Sequence, residues 1–211
     1  MGKIKIYEEK ENIPYEEITK VLNLAYKELL DQSLSYAAAT QTVERTKARM
    51  KDGVCMIAEI DGKIVGTLTY HVHEKKENSK WYIDGKYIVL TQLAVLPEYR
   101  EQNVYLCLAS NFLRKVRKDK EIACLIADTS VEAERLVKGY VSSGMQIVDY
   151  VSWPGTNYYS YVFCKTINGK KFQDEYCEKR LKIAKLKCKL KYKKNGQKRV
   201  LGKIVTVIKR I

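Results

Sequence analysis

Apolar residues recur along this chain with two periods, and the switches between them mark out its elements. Residues 3–7 alternate like a strand. From Pro14 and Tyr15 onward, Ile18, Val21, Leu22, Ala25 and Leu29 repeat at helical spacing. A second helix is expected over residues 38–51. Residues 54–60 and 63–72 read as strands, and Asp61-Gly62 between two apolar runs predicts a tight hairpin. A long apolar strand, residues 88–96, meets Pro97 and a short polar loop. After the loop Val104, Leu108, Phe112 and Val116 form the stripe of a helix. Residues 122–127 predict a short buried strand, and residues 132–143 a helix ending near Gly144. Two final strands, residues 146–152 and 158–165, flank Trp153-Pro154-Gly155. The expected order is β-α-α-β-β-β-α-β-α-β-β over a domain of residues 1–165, of mixed α/β (α+β) class.

The strand–loop–helix unit of residues 87–118 carries the chemistry. A helix that opens on such a loop aims unpaired backbone N–H groups at it, which makes an anion site. This is a common way to hold the phosphates of a nucleotide-containing cofactor. The loop reads Arg100-Glu101-Gln102-Asn103-Val104-Tyr105, after Leu93-Ala94-Val95-Leu96-Pro97-Glu98-Tyr99. It resembles the Arg/Gln-x-x-Gly-x-Gly/Ala loop of the GCN5-related N-acetyltransferases, the GNAT superfamily. Asn103 and Tyr105 stand where that family has glycines. Asn tolerates positive φ better than most residues, whereas Tyr105 brings a ring close to where phosphates would lie. Further on, Tyr140-Val141-Ser142-Ser143-Gly144-Met145 resembles the family's Tyr-x-x-x-Gly-Phe segment.

The resemblance implies a GNAT-like acyl-CoA N-acyltransferase fold, with a central, mostly antiparallel mixed sheet flanked by helices. It implies transfer of an acyl group from acetyl-CoA, or another acyl-CoA, to an amine by direct attack on the thioester. The backbone of Leu93, Ala94 and Val95 would hold the thioester carbonyl, and Arg100, Glu101, Gln102, Asn103, Val104 and Tyr105 the pyrophosphate. Tyr140 would be the general acid that protonates the departing thiolate; otherwise it is an ordinary helix-face tyrosine. Where many family members have a glutamate base, this chain offers Thr91 and Gln92. His71 and His73 are base candidates, since they share one strand face and titrate near neutrality. They read equally as a solvent-facing pair, and a metal site would need a third ligand. Asp84 and Glu59 are lesser candidates, and a substrate that loses its proton to solvent needs no base. Family acceptor pockets are walled by the first helices and last strands, here rich in Tyr26, Tyr36, Tyr150, Tyr158, Tyr159, Tyr161 and Trp153. Such a pocket suits a small-molecule or protein amine.

Charge divides the chain. Residues 1–164 hold 22 Lys and Arg against 22 Asp and Glu, so the whole net charge of +14 lies in residues 165–211. Residues 166–211 therefore read as a basic C-terminal extension. Glu175 and Glu178 precede Lys179 and Lys182 at helical spacing. Residues 186–193 then alternate like a strand, Asn195-Gly196 reads as a turn, and residues 200–208 as a second strand; one long helix to Lys194 is the alternative. The extension fits an anionic membrane surface, an acidic protein or nucleic acid. It could also be a solvated appendage. An acyl carrier protein as donor, with the extension as its dock, is one alternative function. A GNAT-like module without catalysis, kept for binding or scaffolding, is another. A homodimer is compatible with either.

The six cysteines, at 55, 107, 124, 164, 177 and 188, include no C-x-x-C pair. Cys55, Cys107, Cys124 and Cys164 fall in predicted strands or the Val104 helix and read as reduced core residues, a catalytic thiol being the sharper alternative with little behind it. No run approaches a membrane span, and the N-terminus lacks the apolar segment of a secretory signal. The expected location is cytoplasmic, with peripheral membrane contact open to the basic extension.

Overall fold

The computed structural model describes residues 2–74 and 86–168, with Lys182 and Leu186 beyond them. Asp84, Cys177, Cys188 and the helix, strands and turn expected in the basic extension lie outside the described residues.

Seven strands form one sheet: β1 (Lys5–Glu9), β2 (Val54–Ile60), β3 (Lys63–His73), β4 (Lys86–Val95), β5 (Ile122–Ser130), β6 (Gln146–Val151) and β7 (Ser160–Thr166). Their spatial order is β1-β2-β3-β4-β5-β7-β6. Only β4 and β5 run parallel; every other neighbouring pair is antiparallel. The β2–β3 hairpin turns on Asp61 and Gly62, both at positive φ (49° and 79°), as a two-residue turn matched to strand twist requires.

The helices are α1 (Tyr15–Asp31), α2 (Ala37–Thr40), α3 (Val43–Met50), α4 (Val104–Val116) and α5 (Glu134–Ser142). The helical stripes read from sequence are the buried faces: Ile18, Val21, Leu22, Ala25 and Leu29 of α1, and Val104, Leu108, Phe112 and Val116 of α4. Leu68 and Tyr70 of β3 face α4, where Tyr70 meets Phe112 edge-on at 5.1 Å. The alternate residues of β3 face α1 and α3. His71, for example, reaches the Arg49 carbonyl. At Gly66 a Cβ would stand 3.1 Å from both the Ala94 carbonyl and Val104 Cγ1, so the missing side chain lets α4 sit close on the sheet.

Two elements differ from expectation. The helix expected over residues 38–51 is broken. Gln41 is extended (φ −67°, ψ 145°), and Thr42 then caps α3 by accepting the Arg45 N–H at 3.3 Å. The cause is the buried Gln41 amide, which donates to Thr46 Oγ1 (2.7 Å) and accepts from Arg49 Nη1 (2.6 Å). A buried amide must find such partners, and here the break supplies them. Strand β5 is also longer than its apolar run. Asp128, Thr129 and Ser130 continue it, paired with Val162, Tyr161 and Ser160 of β7. At the other boundary β7 runs to Thr166, and Asn168 still donates to the carbonyls of Asp119 and Ile122.

Candidate active site

The site begins where the sheet divides. Strands β4 and β5 pair from Lys86 and Ile122, shift register before Tyr87 and Cys124, and stay paired as far as Val89 and Ile126, and no farther. Strand β4 stays paired with β3 up to Val95 opposite Gly66. Residues 90–95 thus carry a backbone edge that β5 does not take up. Between Thr91 and Ala94 strand β4 has an extra residue relative to β3, and Gln92 there adopts φ 49°. This is a bulge, which bends the strand and increases its twist. The Leu96 N–H donates to Val65 on the β3 side (2.9 Å), so strand alternation turns the Val95 N–H toward the split. The Leu93 carbonyl accepts the Tyr26 hydroxyl at 2.9 Å.

The split opens into a cavity of about 470 Å3. Its walls are Ala25, Tyr26 and Leu29 of α1, Leu93, Ala94 and Val95 of β4, and Leu136, Gly139 and Tyr140 of α5; Arg100, Glu101, Tyr105 and Arg135 complete it. Eight residues singled out from sequence therefore meet here: Tyr26, Leu93, Ala94, Val95, Arg100, Glu101, Tyr105 and Tyr140. Gln102 closes a 3-10 turn, Pro97–Gln102, and Asn103 follows at φ 60°, the left-handed conformation for which asparagine is tolerated. The Val104 side chain is in the core, not in the cavity. Tyr105 forms a wall and leaves the cavity open. No side chain caps the N-terminus of α4, so its first amides are available to an anion.

Arg100 is held from the α1 side. Its Nη1 pairs with Glu28 at 2.7 Å and its Nη2 donates to the Ala25 carbonyl at 2.8 Å, while its buried Nε has no partner. Glu28 also takes Arg135 of α5, through Nε at 3.1 Å and through Nη2. Burial disfavours the Glu28 carboxylate, but hydrogen bonds and charge from Arg135 and Arg100 outweigh it and hold the carboxyl below its ordinary value.

Tyr140 is 7 % exposed, with its ring 5.0 Å from Phe163. Gly144 at φ 80° ends α5 in a Schellman arrangement, with Met145 N–H donating to the Tyr140 carbonyl and Gly144 N–H to that of Val141. This explains the fixed spacing of Tyr140 and Gly144. Burial, followed by the nearby Tyr26 and Asp128, pushes the phenol well above its ordinary value, so it keeps its proton at neutral pH.

The other expected residues lie elsewhere. His71 Nε2 is 3.2 Å from the Arg49 carbonyl, His73 stacks on Tyr87 at 5.0 Å, and neither lines the cavity. Glu59 accepts the Tyr7 hydroxyl at the β1–β2 side of the sheet. Thr91 bonds the Thr69 carbonyl, and Gln92 is buried with both amide atoms unpartnered. The aromatic residues form two groups. Tyr36 lies between Tyr26 (5.4 Å) and Tyr158 (4.8 Å, stacked), next to the split, while Tyr150 contacts Tyr159 and Tyr161 on the β6–β7 side.

The sequence reading missed Asp128. It stands two residues past the last β4–β5 pair, is exposed, lies outside the residues that line the cavity, and accepts the Trp153 indole N–H at 2.9 Å. Desolvation by the surrounding protein raises its carboxyl above the ordinary value, against the opposing influence of the Ser160 hydroxyl, Trp153 and Arg49. The signal was the polar Asp128-Thr129-Ser130 directly after an apolar strand. Among the described residues no three His, Cys, Asp or Glu side chains gather as for a metal ion. No described helix is long and apolar enough to cross a membrane.

A family model described as the acetyltransferase (GNAT) family matches residues 16–138, more than half of the chain. The chain belongs to the GNAT acetyltransferase family. Its fold is shared by solved GNAT structures at low identity. Arabidopsis thaliana NAA60 in complex with a bisubstrate analogue aligns with a TM-score of 0.60 at 14% identity, covering 80% of this chain and 100% of that one. The same enzyme with acetyl-CoA gives 0.58 at 14%, covering 79% and 100%. The ribosomal-protein-S18-alanine N-acetyltransferase from Escherichia coli gives 0.60 at 11% identity, covering 81% and 98%. A search of curated proteins finds no match. The split between β4 and β5 is thus the candidate active site of a GNAT acetyltransferase.

Proposed function

We propose that this GNAT chain transfers an acetyl group from acetyl-CoA to an amine by direct attack of the amine on the thioester. The reading rests chiefly on the split, where a cavity of about 470 Å3 brings the Tyr140 phenol and a free β4 edge together. The residues present fit the donor: uncapped α4 amides and the guanidinium groups of Arg100 and Arg135 would hold its phosphates, and residues 93–95 its pantetheine arm. The donor supplies an activated carbonyl and a thiolate leaving group. The Val95 N–H is placed to donate to the carbonyl oxygen as negative charge develops there, a contribution of a few kcal/mol. Asp128, its carboxyl raised above the ordinary value, takes the proton of the attacking amine. The nitrogen–carbon bond forms, the carbon–sulfur bond breaks, and the Tyr140 O–H gives its proton to the sulfur. Tyr26, Tyr36 and Tyr158 offer the amine an aromatic wall with polar tips. Two of the structural relatives are named for NAA60 and a ribosomal-protein alanine N-acetyltransferase, which supports an amine acceptor, with a protein amine among the candidates beside a small molecule.

In this reading residues 166–211 are a separate basic appendage, the place to meet an anionic surface, an acidic protein or nucleic acid. The test is titration of the full chain with acetyl-CoA and a panel of amines, following release of free thiol. Tyr140→Phe should lower kcat by about 100-fold and leave affinity for acetyl-CoA within about twofold. Unchanged turnover would remove Tyr140 from the chemistry. A second reading, a binding module without turnover, is favoured by one observation: the Arg100 guanidinium is already engaged by Glu28 and Ala25. Binding of acetyl-CoA with no thiol released for any amine would establish it.

A further inference from the structure

Two arginines from distant parts of the chain converge on one carboxylate at the mouth of the split. Arg100 comes from the turn after β4, Arg135 from the first turn of α5, and Glu28 from α1 bridges them. Both arginines line the cavity. Arg135 is poorly placed for helix stability, because a cation in the first turn opposes the helix macrodipole. Arg100 is incompletely satisfied, since its buried Nε has no acceptor. Two guanidinium groups aimed at one point, one retaining an unused donor, suit an anion with more oxygens than a carboxylate has. Guanidinium forks match phosphate bidentately. The loop, meanwhile, lacks glycines at Asn103 and Tyr105, where close backbone approach to phosphates would be easiest.

We propose that Arg100 and Arg135 form a two-guanidinium seat for the phosphates of the donor, and that Glu28 competes for it, latching α1 across the cavity. Arg135 thereby supplies from α5 part of the anion binding that a glycine-free loop gives up. Glu28 sets its cost, because donor phosphates must displace a carboxylate that both arginines favour in its ionised form. The inference rests on the reading of the cavity as the donor site.

The test compares two ligands on the full chain by calorimetric titration: CoA, which carries the phosphates, and S-acetylpantetheine, which carries none. Glu28→Gln removes the competing charge and should tighten CoA binding roughly tenfold, with S-acetylpantetheine unchanged within about twofold. Arg135→Ala should weaken CoA roughly tenfold and leave S-acetylpantetheine alone, and Arg135→Lys should fall between, since it keeps the charge and loses the fork. Thermal unfolding of each variant confirms that it is folded. If Glu28→Gln leaves CoA affinity unchanged or weaker, or if Arg135→Ala weakens both ligands alike, the trio is only a structural clasp and the proposal is overturned. Failure of the unaltered chain to bind either compound would remove the donor reading and this inference with it. Binding of CoA without the selective responses would remove the inference alone.

Discussion

Asp128 accepts the Trp153 indole N–H, and desolvation by the surrounding protein holds its carboxyl above the ordinary value against the distant charge of Arg49. A base works only when ionised, so the acid limb of the rate profile should lie above the ordinary carboxyl range. Asp128→Asn should erase that limb in a plot of log kcat/KM against pH and lower the plateau by about 100-fold. A carboxyl pushed up on folding contributes less stability as pH rises through the window between its ordinary and its raised value. The asparagine variant should therefore melt no lower than the parent at neutral pH, which separates lost chemistry from lost fold. Tyr140 was legible beforehand because its partner, Gly144, is four residues away, and the helix cap that relates them is local. Asp128 was not, because an apolar run that ends at Ala127 conceals a strand continued by pairing with β7. Arg100 was legible by position, but its clasp by Glu28 was not, since the two lie far apart in sequence.

At the scale of elements, periodicity exposed nearly everything that depends on burial. Helices α1 and α4 bury the stripes their spacing predicts, and the Asp61-Gly62 turn follows from two residues that accept positive φ. Periodicity failed where a polar side chain set the path. Residues 37–50 hold enough helix formers for one element, yet the Gln41 amide is served only if the chain breaks, and Thr42 then starts α3 afresh. Thr42→Ala should cost about 1 kcal/mol of unfolding free energy by losing that cap, read from a denaturant titration. Because α3 also carries Arg49, whose carbonyl meets His71, the loss is expected to be felt at β3 as well.

Across the whole molecule, charge is segregated. Residues 1–164 are neutral overall, and the net +14 lies in residues 165–211. Removing residues 169–211 should leave kcat/KM for acetyl-CoA within about twofold, as for an appendage outside the domain that carries the cavity. The same truncation should abolish co-sedimentation with anionic vesicles if a lipid surface is the extension's partner, since each basic residue near such a surface contributes about 1 kcal/mol. Retained sedimentation would place the membrane contact on the domain. The division of the sheet carries a different consequence. Each half is a contiguous stretch of chain, and they are joined by the short β4–β5 seam that ends at Val89 and Ile126. Past the seam, residues 90–95 present strand backbone that another polypeptide could zip onto, and α1 and α5 are what screen it. The opening that admits substrate is thus also the weakest guard against self-association, and anything that frays α1 would invite aggregation before the fold itself is lost.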